Sequence, residues 1–212
     1  MAPGAGSGPL PLEERAPMAG RIVILNGAPR SGKSTLARAV QQDVPGRWVN
    51  WGVDAFNATL PAALMPGIGL RPGGERPDLE PDVARLYGVF FAHMAHLARE
   101  GFDVVADLGL HRSYAGPLDP MAILARELAD LKPVTVAVDC ALDIIMARRN
   151  ADPQGGFYLG GVDVPEPVGR WQVAVHAGMA YDLRLDMGML PPGTGAALVA
   201  RAVHEIDSDR SI

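Results

Sequence analysis

The stretch GAPRSGKS, residues 27–34, decides how the chain is interpreted. It follows the apolar run RIVIL (21–25) and leads into KSTLARAVQQ (33–42), so it stands between a predicted strand and a predicted helix. It matches the pattern G-x-x-x-x-G-K-[ST] in full, in the context that the pattern requires. The stretch therefore predicts a phosphate-binding loop at the start of an α/β domain.

Each part of this loop has a physical reason. Gly27 and Gly32 allow backbone turns that a side chain would obstruct, and the turned backbone points N–H groups at one anion. The N-terminus of the following helix adds partial positive charge. Lys33 would neutralise the β- and γ-phosphates, and the Ser34 hydroxyl would ligate Mg²⁺.

We therefore expect ATP and Mg²⁺ as cofactors. The residues predicted to bind the nucleotide are consecutive in the loop and first helical turn: Gly27, Ala28, Pro29, Arg30, Ser31, Gly32, Lys33, Ser34 and Thr35.

Beyond the loop, predicted strands alternate with predicted helices, which is typical of a parallel, doubly wound sheet. The further strands are predicted at 47–52, 102–107, 133–139 and 181–187. The further helices are predicted at 81–100, 119–131, 142–150, 170–179 and 193–206, with Asp119 as a cap and Pro120 in the first turn.

The segments outside this alternation suggest a simple domain organisation. Residues 1–19 are expected to form a flexible tail rich in Pro and Gly, and 20–212 a single domain. A loop near 57–82 is expected to bind substrate and a second near 150–169 to act as a lid, because long loops in compact domains usually serve binding.

Composition excludes several classes of protein. The net charge of −5, without a long Lys/Arg block, argues against a nucleic-acid partner. No apolar stretch approaches the ~20 residues of a membrane helix, and the N-terminus does not resemble a secretory signal. The single cysteine, Cys140, fits a reducing compartment. We expect a cytoplasmic protein with a small-molecule partner. The sequence leaves open whether the protein forms a homo-oligomer.

A phosphate loop alone does not separate GTPases, motor ATPases and small-molecule kinases. An N-K-x-D motif, expected of a GTPase, is absent from the sequence. A motor ATPase generally needs a longer chain and a strand ending in Asp-Glu, whereas Asp107 here is followed by Leu108. A chain of 212 residues with two long loops favours the small-molecule kinase.

Two carboxylates follow predicted strands at the edge where ligands bind in such sheets. Asp54 stands just beyond the second strand and could accept the proton of an attacking hydroxyl; the alternative is a helix N-cap. Asp107 ends the third strand and could hold Mg²⁺ through water or contact the acceptor hydroxyl; the alternative is a structural cap.

Three arginines flank the second long loop. A guanidinium near the transferred phosphate would stabilise developing charge. Arg148 and Arg149 are adjacent on a helix and point about 100° apart, so both cannot face the site equally. We predict Arg149 as the catalytic arginine, ahead of Arg170.

Two further residues are predicted to contact the acceptor molecule. Phe56 follows Asp54 closely and could line an apolar pocket, although it would serve equally well in the core. His111 follows Asp107 by four residues; a loop histidine without contact to substrate is the alternative.

Four stretches together resemble the chloramphenicol phosphotransferase family: RIVILNGAPRSGKSTLARAVQ, WVNWGVDAF, VVADLGL and VHAGMAYDLRLD. The resemblance covers approximately 21–205. It implies a P-loop kinase fold with five parallel strands and helices on both faces, and ATP-dependent phosphorylation of an antibiotic hydroxyl. It also implies that Asp54, the aspartate of GVD, is the base.

Two segments depart from the family. The substrate loop does not match chloramphenicol contacts, and the lid is longer and less basic than usual. Three alternatives therefore stay open: a kinase of another natural product or nucleoside, a zeta-toxin-like kinase of a nucleotide sugar, and a non-catalytic ATP-binding regulator.

Overall fold

The computed structural model describes residues 18–64, 76–152 and 161–209. The strands are β1 (Ile22–Asn26), β2 (Trp48–Asn50), β3 (Asp103–Leu108), β4 (Val134–Asp139) and β5 (Leu183–Asp186). The helices are α1 (Lys33–Asp43), α2 (Val53–Asn57), α3 (Glu80–Arg99), α4 (Pro120–Glu127), α5 (Leu142–Ala151), α6 (Glu166–Ala174) and α7 (Pro192–Asp209).

The five strands form one sheet in the order β2-β3-β1-β4-β5, and every neighbouring pair is parallel. The strand that precedes the phosphate loop therefore lies in the centre. The chain changes its direction of winding across β1, since β3 lies on one side and β4 on the other. Ligands of open parallel sheets bind at this kind of switch point, beyond the carboxyl ends of the strands.

Side chains alternate across the sheet and build a core on each face. Ile22 and Ile24 of β1 pack into one core, with residues of α3 and α4 among its members. Val23 and Leu25 face the other core, with α1 and α7. Because both faces are covered, β1 is apolar throughout except for Asn26, and all five of its residues are buried.

This architecture confirms the predicted P-loop kinase fold, a five-stranded parallel sheet with helices on both faces. Asp119 caps α4 as predicted, since its side chain accepts hydrogen bonds from Met121 N and Ala122 N, and Pro120 is the first helical residue. The predicted bounds of several elements were wrong. The segment predicted as helical at 170–179 is helical earlier, at Glu166–Ala174, because Glu166 and its neighbouring proline begin the helix and turns follow it.

The two predicted loops contain more regular structure than expected. The segment 57–82 includes the end of α2, short 3₁₀ turns at Ala62–Leu64 and Pro77–Leu79, and the start of α3. The segment 150–169 includes the end of α5 and the start of α6. The remaining parts of these loops, 65–75 and 153–160, lie outside the described residues, as do residues 1–17 of the predicted tail.

Among the helices seen in the described part of the chain, none combines the length and apolar character that crossing a lipid bilayer requires.

Candidate active site

The phosphate loop has the tight backbone that its sequence predicts. Arg30 has φ 67° and Gly32 has φ 108°, both in the left-handed region. Gly32 adopts this conformation without steric strain, whereas Arg30 needs support from neighbouring groups to adopt it. Lys33 Nζ donates a hydrogen bond to Ala28 O at 2.7 Å, and Ser31 Oγ is buried with no partner in the described residues. The loop therefore holds polar groups that a phosphate would satisfy.

A cleft of about 850 Å³ opens over this loop. Seven of the nine predicted nucleotide residues line it, together with three of the other predicted site residues. The nucleotide residues are all but Ala28 and Ser31: Gly27, Pro29, Arg30, Gly32, Lys33, Ser34 and Thr35. The other site residues are Asp54, Asp107 and Arg149. The cleft brings together residues that are far apart in the sequence.

The two residues predicted to hold Mg²⁺ are in direct contact. Ser34 Oγ donates a hydrogen bond to Asp107 Oδ2 at 2.6 Å, which joins the first turn of α1 to the end of β3. Gly52, at the turn between β2 and α2, leaves room for this carboxylate, since a Cβ at Gly52 would overlap Asp107 Oδ1. A hydroxyl and a carboxylate on one side of a phosphate loop are the hard oxygen ligands that Mg²⁺ prefers.

These residues fit a magnesium ion held jointly with a nucleotide. In the described ranges, no group of three or more His, Cys, Asp and Glu side chains is arranged to hold a metal by itself. Mg²⁺ commonly keeps several waters and takes only one or two protein ligands beside substrate phosphates, so the pair Ser34 and Asp107 suffices for such a site.

Asp54 lies in the first turn of the short helix α2 and faces the cleft. Gly52 is the N-cap of this helix, so the alternative that Asp54 serves as its N-cap does not hold. Partial burial raises the pKa of the Asp54 carboxyl, the negative charge of Asp107 raises it further, and Lys33 opposes both. Asp54 keeps contact with solvent, which screens part of these effects.

Lys33 is the positive centre of the cleft. Burial lowers the pKa of its ammonium group to about 8, against the opposing attraction of Asp107 and Asp54. Two carboxylates and one ammonium therefore share a partly dehydrated space, an arrangement that clusters at functional sites.

The three candidate arginines have different surroundings. Arg148 and Arg149 both line the cleft, whereas Arg170 does not and pairs with Glu166 on the surface. Arg148 donates to two backbone carbonyl oxygens, Arg30 O at 3.1 Å and Met187 O at 2.7 Å. The role of Arg149 in catalysis stays a prediction.

The two residues predicted to contact substrate do not line this cleft. Phe56 is buried in the core against Trp51 and Phe90. His111 is also buried, with its ring stacked on Tyr114 and edge-on to Trp171. The structure therefore places both behind the cleft, and their contact with an acceptor stays a prediction.

His111 is a neutral side chain in this setting. Its Nδ1 accepts a hydrogen bond from Ser113 N at 2.9 Å, and its Nε2 is buried without a partner in the described residues. Burial lowers the pKa of His111 to about 4. This histidine therefore carries no charge near neutral pH.

Sequence reasoning missed several residues of the cleft. Arg38 lines it from α1, and Trp171 lines it from α6, close to Gly109. The spacing of Arg38, four residues after Ser34, could have indicated the same face of the helix. No pattern in the sequence indicated Trp171, because α6 follows a long loop.

The stretch VHAGMAYDLRLD proves to contain structural contacts. His176 Nδ1 lies 2.9 Å from Tyr181 Oη, and His176 Nε2 lies 3.3 Å from Asp139 Oδ1. The Asp182 carboxylate accepts hydrogen bonds from Thr135 N and Thr135 Oγ1, both at 2.7 Å. The Asp182 contacts join the beginnings of β4 and β5, whereas His176 reaches Asp139 at the carboxyl end of β4.

Solved structures with the same fold include several kinases. A sugar kinase of Janibacter sp. is 20% identical over 87% of this chain and 95% of its own, with a TM-score of 0.57. The APS kinase of Mycobacterium tuberculosis, in complex with AMPPNP and APS, is 20% identical over 89% and 99%, with a TM-score of 0.56. The tunicamycin resistance protein of Deinococcus radiodurans is 16% identical over 87% and 95%, with a TM-score of 0.54. At these identities the likeness shows the fold alone.

Comparison with curated protein sequences finds no significant match. The family described as "Chloramphenicol phosphotransferase-like protein" matches residues 20–204, which is nearly the whole of the described chain. The match spans the phosphate loop, both carboxylates of the cleft and the segment from His176 to Asp186. The chain therefore belongs to the chloramphenicol phosphotransferase-like family.

Proposed function

We propose that the protein is an ATP-dependent O-phosphotransferase that phosphorylates a hydroxyl of a small antibiotic, chloramphenicol or a similar compound. Such an activity would give resistance or self-protection. One observation carries the proposal: Asp54 lines the same cleft as Lys33, Ser34 and Asp107. Membership of the family and the P-loop kinase fold support a small-molecule kinase.

In the proposed reaction Asp54 accepts the proton of the acceptor hydroxyl. The hydroxyl oxygen forms a bond to the γ-phosphorus, the bond between that phosphorus and the bridging oxygen breaks, and ADP leaves. Lys33 and the loop N–H groups hold the phosphates, and Arg149 stabilises the charge on the transferred group. Ser34 and Asp107 would hold Mg²⁺, which neutralises phosphate charge.

The test is ATP consumption by the pure protein with Mg²⁺ and a panel of hydroxylated antibiotics, with the product identified by mass. We expect one compound to stimulate turnover and to gain one phosphate. Asp54→Asn should lower kcat/KM for that compound by about 10²- to 10⁴-fold, because the variant keeps the shape of the side chain and removes the proton acceptor.

The control is nucleotide binding by Asp54→Asn, which should stay near that of the unchanged protein. Full activity in the variant would contradict the role of Asp54 and favour a non-catalytic or differently organised site. A silent panel with intact ATP binding would contradict the antibiotic acceptor and direct the search to nucleosides, other natural products or nucleotide sugars.

A further inference from the structure

Arg148 lines the cleft and connects three segments there. Its Nη1 donates to Arg30 O in the phosphate loop, and its Nη2 donates to Met187 O just after β5. Nη1 also lies 3.5 Å from the sulfur of Cys140, which follows β4. Within the described residues no carboxylate forms an ion pair with Arg148, so its guanidinium serves carbonyl oxygens.

The carbonyl of Arg30 belongs to the one strained residue of the phosphate loop. Arg30 has φ 67°, a conformation that a residue with a side chain adopts only where its surroundings enforce it. The bond from Arg148 to this carbonyl is one such constraint. The loop also packs closely here, since a Cβ at Gly32 would lie 3.4 Å from Arg148 Nη1 and 3.1 Å from Met187 Cβ.

A second connection runs from the phosphate loop to α5. The Arg30 side chain reaches Asp152 at the end of α5, with Nη1 3.0 Å from Asp152 Oδ2 and Nη2 donating to Asp152 O at 2.7 Å. Asp152 N in turn donates to Arg148 O at 3.2 Å. The phosphate loop and the end of α5 therefore hold each other through side chains from both.

Met187 lies beside the phosphate loop on the wall of the same cleft, and Leu190 and Pro192 line the cleft as well. When the phosphates of a nucleotide occupy the loop, its sugar and base must contact another part of the cleft. The position of the phosphate loop relative to Met187 therefore affects how well the phosphates and the base are held at the same time.

We infer that Arg148 is a positioning residue for the nucleotide, which fixes the phosphate loop in its left-handed conformation and sets its distance from the wall at Met187. This inference rests on the proposed binding of ATP. It assigns different roles to adjacent arginines: Arg148 acts through two carbonyl oxygens, and Arg149 acts on the transferred phosphate.

The test compares Arg148→Lys and Arg148→Met with the unchanged protein. Lysine keeps the charge but cannot donate to two carbonyl oxygens with the geometry of a planar guanidinium. We expect both variants to weaken binding of Mg-ADP, measured by calorimetry, by about tenfold, the order of one to two lost hydrogen bonds. KM for ATP should rise to match, while kcat and KM for the acceptor stay within about threefold.

Arg99→Lys is the matched control, because Arg99 pairs with Asp130 on the surface and does not line the cleft. It should leave Mg-ADP binding unchanged. Arg30→Gly is a second variant, which tolerates the positive φ, removes the side-chain contact with Asp152 and keeps the backbone carbonyl that Arg148 binds. It should weaken Mg-ADP binding less than Arg148→Met does.

Normal Mg-ADP binding by Arg148→Lys would overturn the inference, since charge alone would then suffice. A selective loss of kcat would also overturn it, because that result assigns Arg148 to the chemical step. Thermal unfolding of each variant shows whether the substitution impairs folding in general. If the folded Arg148 variants bind Mg-ADP as tightly as the unchanged protein, the inference is also overturned. Mg-ADP binding without phosphorylation of any antibiotic would contradict only the proposed acceptor, whereas an unchanged protein that binds no Mg-ADP would contradict both proposals.

Discussion

At the scale of single residues, Asp54 has an environment suited to a base. Its carboxyl shares the cleft with Asp107, which disfavours ionisation, and with Lys33, which favours it. Burial and Asp107 prevail, so the pKa lies above the ordinary value of 3.8. A carboxylate with a raised pKa accepts a proton more readily than an ordinary one does.

The raised pKa leads to a prediction for the pH dependence of the reaction. As pH falls, Asp54 takes up a proton before an ordinary aspartate would, so kcat/KM for the acceptor should decline on the acid side with an apparent pKa above 3.8. The measurement is a pH–rate profile with saturating ATP. An acid limb at or below 3.8 would contradict the assignment.

The same electrostatics predict the effect of Asp54→Asn on stability. A carboxyl whose folded-state pKa is raised binds protons more tightly in the folded state, so its ionisation at neutral pH opposes folding. We expect the variant to have a slightly higher Tm than the unchanged protein at pH 7. This outcome, measured together with the loss of activity, would separate a chemical role from a folding defect.

At the scale of elements, the turn from β2 into α2 determines whether Asp107 can reach Ser34. Gly52 has φ −79° and ψ 165°, a backbone conformation that any residue adopts. Its glycine is required only because Asp107 Oδ1 occupies the space that a Cβ would need. A glycine is therefore needed in this turn for the position of the Asp107 side chain and not for the local backbone.

We expect Gly52→Ala to lower kcat/KM at least about tenfold, because the added methyl group displaces Asp107 from Ser34 Oγ and misplaces the groups that align the phosphates. The measurement is steady-state kinetics at saturating and limiting Mg²⁺.

Gly169→Ala, within α6, is the control for this substitution. Nothing lies within 4 Å of a Cβ at Gly169, and a helical Gly→Ala change stabilises by roughly 0.5–1 kcal/mol. It should keep activity. Equal activity in Gly52→Ala and Gly169→Ala would show that Asp107 need not occupy its present place.

At the scale of the whole molecule, Asn26 joins segments far apart in the sequence. At the end of β1, its Oδ1 accepts from Leu110 N at 2.6 Å and its Nδ2 donates to Val175 O at 2.9 Å. Nδ2 also lies 2.8 Å from Tyr181 Oη. The loop after β3 and the segment after α6 are thereby held at the carboxyl end of the central strand.

We expect Asn26→Ala to lower the free energy of unfolding by about 2–4 kcal/mol, because it leaves the buried N–H of Leu110 without its partner and removes the Asn26 donor to Val175 O. The measurement is urea denaturation. Asn150→Ala is the control: Asn150 makes a similar pair of bonds to Gly161, but on the surface, where water replaces them. A similar loss in both variants would contradict the importance of burial.

The sequence was sufficient for the elements whose signals are local. The phosphate loop was predictable because the spacing of Gly27, Gly32, Lys33 and Ser34 is itself the requirement for binding phosphate. The cap of α4 was predictable because Asp119 and Pro120 act within one helical turn. The start of α6 was not, since Glu166 follows a long loop without regular hydrophobic spacing.

The candidate site was predictable only in part. Asp54 and Asp107 could be placed near the loop, because the carboxyl ends of parallel strands meet at one edge. Phe56 and His111 were chosen for their proximity in sequence to those carboxylates, and both prove to be buried behind the cleft. Which face of a short helix or loop meets the cleft depends on packing with distant segments.

By itself, therefore, the sequence determined a nucleotide-binding loop and an alternating α/β chain, since both depend on residues close together in the chain. The tertiary structure decided the strand order β2-β3-β1-β4-β5, the contact of Ser34 with Asp107 across 73 positions, and the separate surroundings of Arg148 and Arg149. The physical reason is that these contacts arise between segments whose distance is set by packing on the sheet, and no spacing within one segment encodes it.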